Sequence, residues 1–161
     1  MKNLDIYRDA GSVEMGLIEA FEQKIGYCFP SSYKKLISEH NNLYPEQDSF
    51  DFINELGEKE EAGIAFYGYG EWPIESIEKA QHTDIYGFDE VITFGRRANG
   101  DYICFDYRDD PKTCEPRIVL MRHDDYTEDA EGNNPKMVVI NIAPNFEAFI
   151  DLLYKYEDGD E

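Results

Sequence analysis

The chain has three histidines, His40, His82 and His123. One of them stands beside two carboxylates in His123-Asp124-Asp125. Imidazole and carboxylate together can ligate a divalent cation, but adjacent residues on one loop seldom converge on an ion, and no second histidine cluster completes a shell. The stretch is read as a solvated acidic loop, and no metal or cofactor is expected. Asp101 and Asp106 raise the possibility of a carboxylate pair for general acid–base work. Five residues apart on one strand, they point to opposite faces and cannot meet. Asp101 is read as a turn residue after Asn99-Gly100, and Asp106 as an acceptor for backbone or arginine donors. Cys28, Cys104 and Cys114 are an odd number at spacings that fit no zinc or redox motif. All three are read as reduced thiols filling apolar space, Cys104 as an inert buried one. The glycine-rich phosphate loop, the dinucleotide fingerprint and the G-x-S-x-G elbow are all missing from the sequence. No catalytic residue is assigned, and the chain is read as non-enzymatic.

Recognition is the remaining chemistry. In Phe66-Tyr67-Gly68-Tyr69-Gly70-Glu71-Trp72 four aromatic side chains and a carboxylate crowd around two glycines. Tyr and Trp offer wide contact area with a polar handle and are enriched at binding hot spots. Phe66 and Trp72 are expected to fill the core, while Tyr67, Tyr69 and Glu71 are expected to meet a partner. A second partner-facing stretch is the acidic loop after His123, with Asp124, Asp125, Glu128 and Asp129.

The whole chain favours a protein partner. Thirty-five Asp and Glu against 15 Lys and Arg leave a net charge of −20 over 161 residues. That field repels phosphate backbones and anionic lipid heads, so neither nucleic acid nor membrane is an expected partner. It attracts basic protein surfaces and speeds encounter with them. The first ten residues lack the apolar core of a signal peptide, and no apolar run approaches the ~20 residues that span a bilayer. The cytoplasm is the expected compartment.

Four kinds of element must carry these side chains. A helix is expected over residues 13–25, capped by Ser12, with Leu17, Ile18, Phe21 and Ile25 on one stripe and Gly26 ending it. A second is expected over residues 32–39, with Tyr33, Leu36 and Ile37 inward, stopping at Asn41-Asn42. A polar loop follows as far as Glu61. Strands are expected at residues 64–69, 91–95, 101–107, 117–123 and 137–140, with one or two helical turns over residues 75–81. Asn99-Gly100 marks a hairpin turn. On the strand after it, Tyr102, Cys104 and Asp106 face one way, and Ile103, Phe105 and Tyr107 the other. A closing helix is expected over residues 145–156, burying Phe146, Phe149, Ile150, Leu153 and Tyr154, and Glu157 to Glu161 form an acidic tail. Short connections forbid parallel pairing, so the sheet is mainly antiparallel with helices on one face, an α+β fold. Residues 1–161 are expected to be one domain with an ordered core of about residues 13–156. At this length folding buries roughly 68–70% of the surface of the unfolded chain, enough for an independent core.

The ordered series of local patterns resembles the SUKH superfamily, named partly for a yeast regulator of cell-wall assembly and killer-toxin resistance. It begins with Glu19 to Gly26 in the first helix, continues through Phe29-Pro30 and Tyr33-Lys34, and reaches Asn41-Asn42. Ile92-Thr93-Phe94-Gly95, Gly100-Asp101-Tyr102, Pro116-Arg117-Ile118-Val119, His123-Asp124 and Phe146 to Leu153 resemble its second half. Phe29 stands where the family usually has leucine, and Asn42 where it has glycine; Phe is also apolar, and Asn tolerates a left-handed helix end. The resemblance implies an α+β fold and, for the bacterial branch, an immunity protein that neutralises a toxin. Such toxins are often nucleases with basic substrate-binding surfaces, which suits the charge of this chain. The eukaryotic branch implies the alternative, a regulatory or scaffold protein without a toxin.

Overall fold

A computed structural model describes residues 1–128, 132 and 134–156. Asp129 and the acidic tail from Glu157 to Glu161 lie outside the described residues. A five-stranded antiparallel sheet in the order β5-β6-β7-β8-β9 forms the centre. Its strands are β5 (Ala65–Phe66), β6 (Val91–Arg96), β7 (Tyr102–Asp106), β8 (Arg117–Thr127) and β9 (Lys136–Ala143). Two small antiparallel pairs flank it: β1 (Ile6–Arg8) with β2 (Tyr44–Pro45), and β3 (Ser49–Ile53) with β4 (Lys59–Gly63).

The alternation along β7 sorts the core as the sequence indicates. Ile103, Phe105 and Tyr107 enter the larger cluster, together with Ile18 and Phe21 of α1 (Met15–Ile25), Tyr33 and Ile37 of α2 (Ser31–Glu39), and Phe146 and Phe149 of α4 (Phe146–Leu152). Rings dominate its centre: Phe94 stacks on Phe105 at 4.3 Å between centroids, and Tyr33 meets Phe105 edge-on at 5.1 Å. Cys104 faces the other way, into a smaller cluster with Val91, Val119, Met121, Met137 and Tyr86. Tyr86 belongs to α3 (Thr83–Tyr86), so the helices are not confined to one face as expected.

Several elements differ from the sequence reading, each for a physical reason. The polar loop up to Glu61 is largely the β3–β4 hairpin. Its outward charges mask a pattern in which Phe50, Phe52 and Ala62 enter the core. β1 also lies in a stretch too polar to read as a strand. The first helix starts at Met15, with Glu14 rather than Ser12 at its N-terminal boundary, and its Leu17 is 52% exposed. The expected strand over residues 64–69 is only Ala65–Phe66, since Gly68 pairs instead with Ser76. β8 continues through the supposed acidic loop as far as Thr127, pairing Tyr126 with Met137. α4 stops at Leu152 because the chain turns extended there, and Tyr154 pairs with Ser49 instead of completing another helical turn. Asn145 caps α4, accepting a 2.8 Å hydrogen bond from the Ala148 N–H.

The cysteine reading is corrected in part. Cys28 and Cys114 are joined in a disulfide across 86 residues of sequence, and only Cys104 is a free, buried thiol. Its burial pushes the Cys104 thiol well up, which keeps it protonated and inert.

Candidate functional site

The residues that end α2 build the scaffold of the aromatic loop. Asn42 adopts a left-handed φ of 55°, which asparagine tolerates. Asn41 and Asn42 are both buried, and burial of an amide side chain requires that its donors and acceptors be paired. Asn41 holds both backbone groups of Tyr69: its Nδ2 donates to the carbonyl at 2.9 Å, and its Oδ1 accepts from the N–H at 2.8 Å. Asn42 bridges the two ends of the loop, donating to the Phe66 carbonyl at 2.9 Å and accepting from the Glu75 N–H at 3.0 Å. Gly68 donates to the Glu75 carbonyl at 2.7 Å and closes the loop. Glu75 in turn accepts from the Tyr44 hydroxyl and is ion-paired to Arg96 at 2.8 Å. Two asparagines at a helix end thus present residues 69–74 on a rigid base.

That loop faces α1 across an open cleft of about 310 Å³. Leu17, Ala20 and Phe21 supply one wall, and Tyr69, Gly70, Glu71 and Ile77 the other. Lys24 and Glu78 form an ion pair across it at 3.0 Å. Tyr69 proves to be floor rather than contact surface. It is 7% exposed, and its hydroxyl lies 3.0 Å from that of Tyr33. Burial raises the pKa of both phenols well above the usual value, so both stay neutral donors and acceptors. Trp72, expected in the core, is instead 87% exposed, next to the exposed Glu71 and bonded to Pro73 through a cis peptide. The two aromatic assignments are therefore exchanged. Burial tendency by residue type cannot distinguish them, because the asparagine frame determines which side of the loop faces inward.

Tyr67 goes to a different surface. It is half-buried, and its phenol is pushed up to about 12 by burial and by Tyr102 beside it. Tyr102 in turn is raised by burial, with contributions from Cys104 and Tyr126. Tyr67 packs at the margin of the larger core cluster and Tyr102 at that of the smaller, while the 40% exposed Tyr126 shares β8 with Asp124 and Asp125. Asp124, Asp125 and Glu128 are all exposed. The sequence-predicted residues therefore do not form one surface: Tyr69 and Glu71 line the cleft, Tyr67 is half-buried outside it, and Asp124, Asp125 and Glu128 lie on and just beyond the end of β8.

The third cluster is the one that could suggest a metal. One oxygen or nitrogen from each of Asp101, His123 and Asp124 lies within 4.8 Å of the others. The donor set does not suit a cation. Asp101 Oδ1 already accepts from the His123 backbone N–H at 3.1 Å and lies 2.7 Å from His123 Nδ1. Its Oδ2 is ion-paired to Arg97 at 3.2 Å and Arg122 at 3.3 Å. Two guanidiniums on the carboxylate supply the positive charge that an ion would bring. Burial works to raise the Asp101 pKa, but hydrogen bonds from His123, Asn99 and Arg122 outweigh it and hold the group ionised. The same arginines grip Glu60, which bridges the β3–β4 hairpin to the sheet. Asp106, as expected, accepts from arginines, Arg108 and Arg117, and does not converge with Asp101.

The model of the SMI1 / KNR4 family (SUKH-1) matches residues 16–152 of the chain. No curated protein is significantly similar to it. The matched span contains the asparagine frame, the cleft and the arginine-bridged carboxylates alike. It also contains Glu22, whose carboxylate accepts from the Phe29 N–H at 2.6 Å and pairs with Lys34 at 3.0 Å, fixing the turn between α1 and α2.

Proposed function

The chain belongs to the SMI1 / KNR4 family (SUKH-1), and from that premise we propose that it is a non-enzymatic protein-binding module of the immunity type, which neutralises a basic, nuclease-type toxin. The observation that carries the reading is Trp72, 87% exposed on a loop whose base is hydrogen-bonded to Asn41 and Asn42 and whose adjacent Glu71 lines the open cleft. Solvent exposure of a large ring has no benefit for folding, and a rigid, protruding Trp is the side chain most enriched at binding hot spots. The excess of carboxylates supports a basic partner, because the arginines are largely engaged internally: Arg96, Arg97, Arg108, Arg117 and Arg122 all sit in ion pairs. Glu71 at the loop, together with Asp124 and Asp125 on β8 and Glu128 just beyond it, supplies negative charge toward that partner. Asp129, next in sequence, belongs to the same proposal. Residues 1–161 act as one domain in this reading, and the compartment is the cytoplasm. Among the described residues, no helix is long and apolar enough to cross a membrane.

The test is co-expression with the product of a toxin gene found beside this one. Rescue of growth and a co-purified complex are expected. Growth arrest unrelieved by this protein, with no complex, overturns the immunity reading and leaves the regulatory or scaffold role of the family's other branch.

A further inference from the structure

The sulfur pair Cys28–Cys114 lies away from the cleft, and its surroundings point to a role distinct from a fixed staple. Cys28 is half-buried in the turn between α1 and α2, and Cys114 is exposed on the connection between β7 and β8. Each anchor is also held without the disulfide. On the Cys28 side, Tyr107 donates its hydroxyl to the Cys28 carbonyl, Tyr27 stacks on Tyr107 at 4.5 Å, and Glu22 accepts from the Phe29 N–H. On the strand side, Asp106 fixes Arg108 and Arg117, the residues that bracket the connection. Between those arginines, residues 109–115 are almost wholly exposed, held by an exposed ion pair of Asp109 with Arg117 at 2.9 Å and by local turns such as the Glu115 N–H donating to Thr113 Oγ1. The disulfide is therefore the one covalent tie on a segment that contributes little to the core.

We propose that Cys28–Cys114 is a reversible redox-modification site, opened by small dithiols or a dithiol protein and closed by glutathione disulfide, which frees or pins residues 109–115 without unfolding the sheet. In the cytoplasm, where thiol pools reduce most disulfides, an accessible pair exists in both states rather than as a permanent link. Attack begins at the exposed sulfur. A dithiol thiolate displaces Cys28 from Cys114, forming a mixed disulfide, and the Cys28 thiolate takes up a proton. The second thiol of the reagent then displaces the Cys114 thiolate, which is protonated in turn, and the reagent leaves as its own disulfide. Two electrons and two protons pass to the protein. In the reverse direction two glutathione disulfides' worth of sulfur is not required: one glutathione disulfide is reduced to two glutathiones as the Cys28–Cys114 bond forms. Cys104 takes no part, being fully buried with its thiol pushed up.

The experiment counts thiols and locates the released segment. The protein, treated with glutathione disulfide and then alkylated under denaturing conditions, should take one alkyl group, on Cys104. After dithiothreitol, native alkylation should add two, on Cys28 and Cys114. Reduction should lower Tm by roughly 10 °C, as expected for opening a long loop in a chain of this size. Amide exchange should rise more within residues 109–115 than in β7 and β8, whose slowest amides follow only the loss of global stability. Cys114→Ser should match the reduced wild type in Tm and be indifferent to dithiothreitol. Three alkylated cysteines after glutathione disulfide would show that the bond does not form and overturn the proposal. An exchange increase no larger in residues 109–115 than in the sheet would also overturn it, by showing a staple for the fold instead of a clamp on one segment.

Discussion

At the residue scale, the side chain that serves the fold least is the one best placed for binding. With Trp72 87% exposed, Trp72→Ala should leave the urea midpoint unchanged while weakening the toxin complex by at least about 30-fold, the size of a hot-spot loss near 2 kcal/mol. Isothermal titration of both proteins against the toxin checks it, and equal affinities would remove Trp72 from the interface. Glu60 shows the opposite allocation. Hydrogen bonding to Arg122 holds its pKa down at about 2, from an ordinary value of 4.5, despite the opposing effect of burial. A carboxyl depressed on folding stabilises the native state above its unfolded pKa, and that contribution is lost as pH falls toward the folded value. The stability advantage of the wild type over Glu60→Gln should therefore be constant above about pH 5 and shrink between about pH 4.5 and 2. Urea titrations of the two proteins across that range measure it, and a gap unchanged at pH 2 would show that Arg122 does not set the group's ionisation.

Among the elements, the loop frame is where a single methyl group should be felt. A Cβ at Gly68 would lie 2.7 Å from Asn41 Oδ1 and 2.9 Å from the Asn42 backbone nitrogen, and the latter cannot swing aside. Gly68→Ala should cost about 1–3 kcal/mol in stability and also weaken binding, because it moves the loop that carries Trp72. Gly16→Ala is the control: nothing lies within 4 Å of its added Cβ on α1, and denaturation should show no loss. Phe21→Ala and Phe149→Ala, at 6% and 0% exposure, should each cost about 3–5 kcal/mol by the same measurement. A loss below about 1 kcal/mol at both would mean that neither ring fills the core as described. The two phenylalanines were legible in the sequence because helical spacing fixes an inward stripe, and period-two alternation fixed the two faces of β7 equally well. The β3–β4 hairpin was not legible, since Asp51, Lys59 and Glu61 carry charge on its outer side and Glu60 interrupts an inward pattern of only Phe50, Phe52 and Ala62. Nor was the exchange of Tyr69 for Trp72, or the joining of Cys28 to Cys114. Both depend on contacts between residues far apart in sequence, Asn41 with Tyr69 and the α1–α2 turn with the β7–β8 connection. Asn41-Asn42 was visible as a helix end, but its hold on the loop needed the distances.

At the scale of the whole molecule, the charge of −20 acts where no single contact does. With five arginines already paired to carboxylates, the surplus negative charge is left at positions such as Asp124, Asp125 and Glu128, which are exposed on and beyond β8. A basic toxin approaching that surface is drawn by the summed field over a distance set by the salt. The Debye length shortens from about 30 Å at 0.01 M to about 10 Å at 0.1 M, so the association rate should fall steeply across that range. Dissociation should change far less, because it depends on desolvated contacts at the loop, where Trp72→Ala should act instead. Neutralising Asp124, Asp125, Glu128 and Asp129 together should slow association and flatten its salt dependence, with little effect on the off-rate. The two variants thus separate steering from anchoring. Stopped-flow mixing with the toxin at several salt concentrations reads both rates, and an on-rate indifferent to salt would mean that the acidic surface serves solubility rather than encounter.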